Sequence, residues 1–226
     1  MTSHPADHQQ PRSRQVPRSP PGRTTFSPGI IDEIQRGRVI DSLAATAAEH
    51  GYGGVTVERI LRHAHMSART FYALFDDREA CLLAAHRVLA ARLQAGLEAA
   101  WQLEGDWPAK VRAALAAALA FALREPAAAQ FLAAEIQAGD RAARAAQAES
   151  IDRLAAKLSE GRRPYPAADG LNPSTERVIV AGLVALIGNR LLAGQVELLS
   201  DCEPELVELA LAPFLGAGRA RGFARS

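Results

Sequence analysis

The chain has 226 residues, of which 48% are hydrophobic but only 5% aromatic, and its formal net charge at pH 7 is +1. This length suits one large helical domain or two smaller ones, and the near-neutral charge excludes a protein coated in basic side chains. No apolar run reaches the roughly 18 residues of a membrane span, and the N-terminus lacks the apolar core of a signal peptide. We therefore expect an Ala- and Leu-rich, all-α protein that stays in the cytoplasm and has no membrane partner.

Residues 1–29 are rich in Pro, Ser, Gln and Arg and show no apolar periodicity, which predicts a disordered tail. The tail is basic through Arg12, Arg14, Arg18 and Arg23. Two interpretations stay open. The tail reaches the DNA backbone or minor groove, as basic arms of helix-turn-helix proteins do, or it is a solvated segment without specific contacts.

Three helices are predicted next, separated by very short connections. The first runs from Ile30 to His50 and ends in the Gly-rich segment 51–54. Thr56 and Ser67 each suit the N-cap of a further helix, so that little more than His65 remains for a turn between the two. The apolar residues of the second helix recur at helical spacing: Val57, Ile60, Leu61 and Ala64.

The third of these helices combines an apolar side with a small, polar and cationic one. Phe71 and Leu74 share the side predicted to be buried, and Arg69 and Ala73 lie on the opposite arc. An α-helix fits the major groove of DNA, where Arg can bond a guanine edge in two places. The pattern predicts a helix-turn-helix whose second helix reads DNA, with an ordinary helical hairpin as the alternative.

Residues 55–82, VTVERILRHAHMSARTFYALFDDREACL, closely resemble the N-terminal signature of the TetR family of bacterial transcriptional regulators. The matching residues are Thr56, Val57, Ile60, Ala64, Ser67, Thr70, Tyr72, Phe75 and Glu79. Arg78 stands where that family usually has Lys, which keeps the positive charge but changes its geometry. His65 stands where the family usually has Gly, and a left-handed backbone there would cost a non-Gly residue roughly 1 kcal/mol.

The resemblance implies a domain plan and a function. A helix-turn-helix DNA-binding domain, 30–80, is joined by a long helix to a helical ligand-binding and dimerisation domain, 81–216, and a flexible tail, 217–226, follows. The implied function is a ligand-responsive repressor that binds a palindromic operator as a homodimer, with an unknown small-molecule effector. An activator of the same family and a helical ligand-binding protein without DNA-binding activity are the alternatives.

The DNA-contacting side chains are predicted from their chemistry and from this resemblance. We expect base contacts from Ala68, Arg69, Thr70 and Ala73. We expect phosphate contacts from Thr56, Ser67, Tyr72 and Arg78.

The rest of the chain is predicted as long helices separated by Gly- and Pro-rich breaks. Asp76 with Glu79 forms a capping-box-like start for a helix to about Leu103, with further helices at about 108–123, 126–138 and 140–158. Small residues beside a few aromatics leave space for a ligand. A fully packed Ala-rich core would show the same sequence pattern and is the alternative. The candidate pocket residues are His86, Phe121, Phe131 and Ile136. His86 has a second interpretation as a hydrogen-bonded core histidine.

A loop is predicted over 159–173, followed by helices at about 174–199 and 204–215. By the resemblance, these two helices pair with their copies in a second subunit. The predicted interface residues, some of which must instead face the core of the subunit, are Val180, Leu183, Val184, Ile187, Leu191, Leu206, Leu209 and Phe214.

No catalytic, metal or cofactor chemistry is predicted. His63 and His65 lie two positions apart, a spacing that does not share a helix face, and no Cys or acidic partner lies close by. The sequence also contains no phosphate-cradling glycine loop, nucleophile elbow or zinc spacing. Cys81 and Cys202 are expected to be reduced thiols.

Overall fold

The structure is a computed structural model that describes residues 28–138, 141–165 and 168–225; within these ranges the side chains of 28, 135–138, 141–143 and 146 are not described. The predicted tail 1–29 therefore lies almost wholly outside the described residues. Across the described ranges the regular structure is helical and contains no strand, which confirms the all-α prediction. No single helix in these ranges is long and apolar enough to cross a membrane.

The described ranges contain ten α-helices and three 3-10 turns. The helices are α1 Pro28–His50, α2 Val57–Ala64, α3 Ala68–Leu74, α4 Arg78–Trp101, α5 Trp107–Arg124, α6 Pro126–Ala138, α7 Arg141–Ser159, α8 Thr175–Leu192, α9 Glu203–Leu215 and α10 Ala217–Arg225. The 3-10 turns lie at Tyr52–Gly54, Glu160–Arg162 and Val196–Cys202. Helices α1 to α3 form the N-terminal unit, α4 leaves it, and α5 to α10 form the second half.

Both predicted helix starts in the N-terminal unit carry their caps. The Thr56 hydroxyl accepts a hydrogen bond from the backbone N–H of Arg59 at 3.3 Å, and the Ser67 hydroxyl accepts one from the N–H of Thr70 at 3.2 Å. Each cap satisfies a backbone donor that the first turn of a helix leaves without a partner. The caps therefore fix where α2 and α3 begin.

The short turn between α2 and α3 contains one residue in the left-handed backbone conformation. His65 has φ 52° and ψ 48°, and it is the one non-glycine residue with positive φ in the described part of the chain. Its N–H and that of Met66 both donate to the carbonyl of Leu61. The chain accepts the backbone strain at a position where glycine would relieve it.

The start of α4 differs from the sequence prediction by one residue. Asp77, not Asp76, is the N-cap, and its carboxylate accepts the backbone N–H of Ala80 at 2.7 Å. Both aspartates precede the helix, and either could act as its N-cap, so the sequence alone does not decide between them. The capping box of Asp76 with Glu79 is therefore wrong.

The loop between α7 and α8 is held by an ion pair whose carboxylate is buried. Glu176 is 4% exposed and accepts a hydrogen bond from Arg162, whose guanidinium also donates to the carbonyls of Ala168, Leu171 and Asn172. Burial pushes the pKa of the Glu176 carboxyl up, but hydrogen bonding and the charge of Arg162 hold it below its ordinary value. The ion pair thus ties the loop to the first turn of α8.

The C-terminal end differs from the prediction in two places. Helix α8 ends at Leu192 rather than near 199, because the chain turns at Gly194 with φ 71° and continues as a 3-10 turn. The predicted flexible tail 217–226 is also wrong, since its residues up to 225 form α10, which packs on α9.

Helix α10 is held by apolar and ionic contacts that its polar composition conceals. Ala220 and Ala224, spaced i, i+4, are buried. Arg221 pairs with Glu208 of α9 at 3.0 Å. The arginines of the segment therefore belong to a docked helix.

We expect His65→Gly to raise the free energy of unfolding by about 0.5–1 kcal/mol, because glycine adopts the left-handed conformation without strain. Urea denaturation provides the measurement. His63→Gly is the matched control: His63 lies in the right-handed backbone of α2, so the same replacement there should destabilise by about 0.5 kcal/mol. Destabilisation by both variants would contradict the assignment of strain to His65.

Candidate nucleic-acid interface and apolar cavity

Helix α3 turns one face to solvent and buries the other. Phe71 is fully buried and Leu74 is 6% exposed, and these two side chains anchor the helix in the core of the N-terminal unit. On the opposite side Arg69 and Ala73 are exposed, and Tyr72 is 57% exposed with its ring edge-on to Phe71. The structure therefore brings the predicted base-contacting residues to one outward surface.

Arg69 has its charge available for an external partner. It is exposed, and it makes no hydrogen bond or ion pair with any residue that the structure describes. Thr70, next to it, is half-buried, and its hydroxyl lies 3.0 Å from that of Ser67. An exposed guanidinium between short side chains can approach the edge of a base without obstruction.

Three other arginines of the N-terminal half have internal partners. Arg38 donates to the carbonyl of Ala64 at 2.8 Å, and Arg59 donates to the carbonyl of Gly54 at 2.6 Å. Arg78 donates through Nε to the carbonyl of Val55 at 2.7 Å and through Nη1 to Glu79. These side chains stabilise the unit, whereas Arg69 does not.

The predicted phosphate-contacting residues frame the α3 surface with different degrees of freedom. Thr56 and Ser67 are exposed, and a hydroxyl that accepts a capping hydrogen bond keeps its own O–H for a further acceptor. The Tyr72 hydroxyl is carried on an exposed ring. Arg78 is half-buried, and its Nε already donates a hydrogen bond to the carbonyl of Val55. Only part of its guanidinium can therefore face a phosphate. Its phosphate contact stays a prediction.

A cavity of about 260 Å³ lies inside the second half of the chain. Its walls come from α4 to α9 and consist mostly of Ala, Leu, Val and Ile side chains. The α4 wall is one helix face that runs from His86 through Leu93 and Leu97 to Trp101. Polar lining residues are concentrated on α4 and α7: Gln94, Glu98, Gln147, Ser150 and Lys157. The space suits an apolar molecule with one polar end.

The family model described as bacterial regulatory proteins of the tetR family matches residues 39–85, which cover most of α1, all of α2 and α3, and the start of α4. The match covers 47 of the 226 residues, the part of the chain that contains the helix-turn-helix. It supports a DNA-binding transcription regulator in general terms. A search of curated protein sequences finds no match to this chain.

Solved structures share the fold of this chain over most of its length. A fatty acid degradation regulator, FadR, from Bacillus halodurans is 15% identical, with 84% of this chain and 97% of that one covered and a TM-score of 0.66. A TetR-like transcriptional regulator from Rhodococcus sp. RHA1 is 18% identical, covering 81% and 97%, with a TM-score of 0.62. FadR from Bacillus subtilis, solved in complex with stearoyl-CoA, is 16% identical, covering 80% and 98%, with a TM-score of 0.61.

The predicted pocket residues lie only partly around the cavity. His86 and Phe121 line it. Phe131 does not: it is fully buried and stacks on Tyr52, with ring centroids 5.8 Å apart. A helix that is apolar on several sides does not reveal which side faces a void. The side chain of Ile136 lies outside the described residues.

Most of the predicted dimer-interface residues face the interior of their own subunit, and the interface itself stays a prediction. Helix α8 is apolar nearly all round, so composition cannot tell its inner face from its outer one. Five of the residues are buried in the subunit, namely Val180, Leu183, Leu191, Leu206 and Phe214. Val184 and Ile187 line the cavity, as Val180, Leu183 and Leu191 also do, and only Leu209 of the predicted set is exposed, at 46%.

Neither cysteine is placed for nucleophilic chemistry, because both are buried. Burial raises the pKa of the Cys81 thiol to about 12, against the opposing charge of Arg36, and burial also raises the pKa of Cys202. Among the described residues no group of three His, Cys, Asp or Glu side chains could hold a metal ion. The α3 face and the cavity are the candidate functional surfaces among the described residues.

Proposed function

We propose that this protein is a ligand-responsive repressor that binds a palindromic operator as a homodimer. The observation that carries the proposal is the exposed Arg69 on α3, whose guanidinium has no partner in the described part of the chain. Helix α3 is held behind this side chain by Phe71 and Leu74, so the guanidinium projects from a fixed base.

Base reading by α3 is supported by the size of the side chains around Arg69. Ala68 and Ala73 are exposed and too short to keep the helix away from the groove floor, and their methyl groups can touch a thymine methyl. The Thr70 hydroxyl can form a hydrogen bond with a base edge or with the hydroxyl of Ser67. Specificity on this proposal comes mainly from one bidentate Arg–guanine contact.

Phosphate contacts from both sides of α3 would position it in the groove. Thr56 and Ser67 occupy helix starts, where backbone N–H groups and the helix dipole favour an anion. Tyr72 would contact the phosphate backbone of the DNA from the other side of α3. Arg78 would make a weaker phosphate contact, because part of its guanidinium already binds within the protein.

We expect Arg69→Ala to weaken operator binding by about 10- to 100-fold, since one bidentate base contact is worth roughly 1–3 kcal/mol. The operator would come from sequencing the DNA fragments that the purified protein retains, and binding would be titrated on that duplex and on an unrelated one. The loss should be much larger on the operator.

Arg62→Ala is the control, because Arg62 is equally cationic but lies on α2 in an exposed pair with Glu58. It should leave the ratio of operator to nonspecific affinity unchanged. Equal losses on both duplexes with Arg69→Ala would contradict base reading by Arg69.

Dimerisation is proposed through the outer faces of α8 and α9 instead of the residues predicted first. Val178 is 68% exposed, and Gly182, Ala185 and Leu186 follow it along the same exposed side of α8. Leu209 is the exposed leucine of α9. Small side chains in such a stripe let a second helix approach closely, and a two-fold pair would set the two α3 helices about 34–36 Å apart for one turn of DNA.

We expect Gly182→Glu to convert the dimer to a monomer in analytical ultracentrifugation at micromolar concentration. A side chain at Gly182 meets nothing of its own subunit within 4 Å, so the charge would act only on a partner. Gly96→Glu, on α4 with equally open space, is the matched control and should remain dimeric. Identical sedimentation of both variants and the wild type would remove this face as the interface.

The effector is proposed to be a long-chain amphiphile. The α4 wall from His86 to Trp101 is about 22 Å long at 1.5 Å per residue, and its apolar middle leads to polar groups near Lys157. The FadR structure with stearoyl-CoA shows that a related fold holds a ligand with a long apolar chain. This comparison supports the ligand class, and the lining chemistry of this chain is its main basis.

We expect palmitate to raise the thermal midpoint of the protein by several degrees at concentrations far above its Kd, whereas butyrate, with the same carboxylate, should not. Palmitate should also release operator DNA. Ala118→Phe, which fills space in the lining, should reduce the palmitate shift. A shift with butyrate equal to that with palmitate, or none with either, would contradict an apolar-chain effector.

A further inference from the structure

The polar side chains of the cavity are confined to two of its walls. Every lining residue that α5, α6, α8 and α9 contribute in the described part of the chain is apolar. The polar lining residues are His86, Gln94 and Glu98 on α4 and Gln147, Ser150 and Lys157 on α7. A ligand with a polar headgroup therefore finds its hydrogen-bonding side chains along these two helices.

The seam between α4 and α7 is where the cavity reaches solvent. Within the described ranges α4 packs on α1, α5 and α6, and α7 packs on α6 and α8, but the two helices are not closely packed on each other. The polar lining of α4 passes from His86, 8% exposed, through half-buried Gln94 to exposed Glu98. Across from this end, the side chain of Lys157 is 40% exposed. The cavity thus has a closed end at His86 and a mouth beside Glu98 and Lys157.

Lys157 spans the mouth with contacts that leave its N–H donors available. Its Nζ lies 5.8 Å from the centroid of the Trp101 ring on α4 and 3.8 Å from a carboxylate oxygen of Glu160. Neither contact is a hydrogen bond, and Lys157 makes none with a residue that the structure describes. The face of an indole attracts a cation but offers no strong acceptor to the three N–H donors of an ammonium group. A ligand acceptor at the mouth could therefore take these donors.

The carboxylates at the mouth are less well placed to bind a headgroup. Glu98 accepts a hydrogen bond from Nε2 of Gln102 at 3.2 Å, one turn further along α4, and it is exposed. Glu160 is 52% exposed and does not line the cavity. Water screens both charges more than it screens half-buried Lys157. A headgroup in contact with the mouth therefore gains most from the ammonium group.

We propose that Lys157 selects an anionic headgroup, such as a carboxylate, at the mouth between α4 and α7. This inference rests on the proposed long-chain effector and names the charge that the same cavity accepts. The alkyl chain would lie along the apolar walls towards His86. Lys157 would turn from the ring of Trp101 to the anion, because a carboxylate accepts hydrogen bonds that the ring cannot.

Three ligands with the same twelve-carbon chain test the assignment: dodecanoate, dodecanol and dodecylammonium. Each is titrated by calorimetry below its micelle concentration at about pH 7.5, where the carboxylate is ionised. We expect the wild type to bind dodecanoate about tenfold more tightly than dodecanol, the lower end for a hydrogen bond between charged groups that stay partly in water. Lys157→Met should remove this preference by weakening dodecanoate alone, as should Lys157→Gln. Lys157→Arg should keep most of it, because the charge and the donors remain.

Lys110→Met is the matched control for the loss of charge. Lys110 and Lys157 are the two lysines of the chain, and Lys110 lies on α5 outside the cavity lining. The control variant makes the same chemical change at the other lysine. It should leave the Kd of all three ligands unchanged.

The outcomes separate this inference from the proposed function. Binding of none of the three ligands would refute the apolar-chain effector and the inference with it. Equal affinity of the wild type for dodecanoate and dodecanol would overturn the inference alone, as would an equal loss for both ligands in folded Lys157→Met and Lys157→Gln variants. Tightest binding of dodecylammonium would also overturn it, and would assign the mouth to Glu98 instead.

Discussion

The N-terminal unit depends on hydrogen bonds from arginine side chains to backbone carbonyls at the ends of short elements. Arg38 holds the end of α2, Arg59 holds the Gly-rich turn, and Arg78 ties the start of α4 to Val55. A hydrogen bond from a charged donor is worth roughly 1.5–3 kcal/mol, more than a neutral one. Helices of seven and eight residues are too short to be stable alone. These bonds hold α2 and its flanking turn in place, and the burial of Phe71 and Leu74 holds α3.

Several arginines near α3 have partners within the protein, including Arg62 with Glu58 and Arg36 over the ring of Phe75. A hydrogen bond to a neutral carbonyl does not cancel the charge of a guanidinium, so Arg38, Arg59 and Arg78 still contribute positive potential in this unit. In the proposed function this potential would favour DNA of any sequence, and Arg69 would supply the discrimination.

Local chemistry is what the sequence predicts well in this protein. The caps at Thr56 and Ser67, the strained turn at His65 and the outward position of Arg69 follow from spacing within one or two helical turns. The failures are of another kind. The inner and outer faces of α8, and the contact of Phe131 with Tyr52 instead of the cavity, depend on neighbours remote in the chain. Helix α10 was missed because its two buried alanines are spread among arginines and glycines.

The burial of both cysteines has a practical consequence for spectroscopy. Maleimide dyes react with thiolates, and at neutral pH a thiol with a pKa near 12 supplies almost none; Cys202 is shielded in the same way. One cysteine introduced on an exposed helix face would therefore take the label alone in the folded protein. Distances between the two copies of a dimer could then be measured by energy transfer on the otherwise native chain.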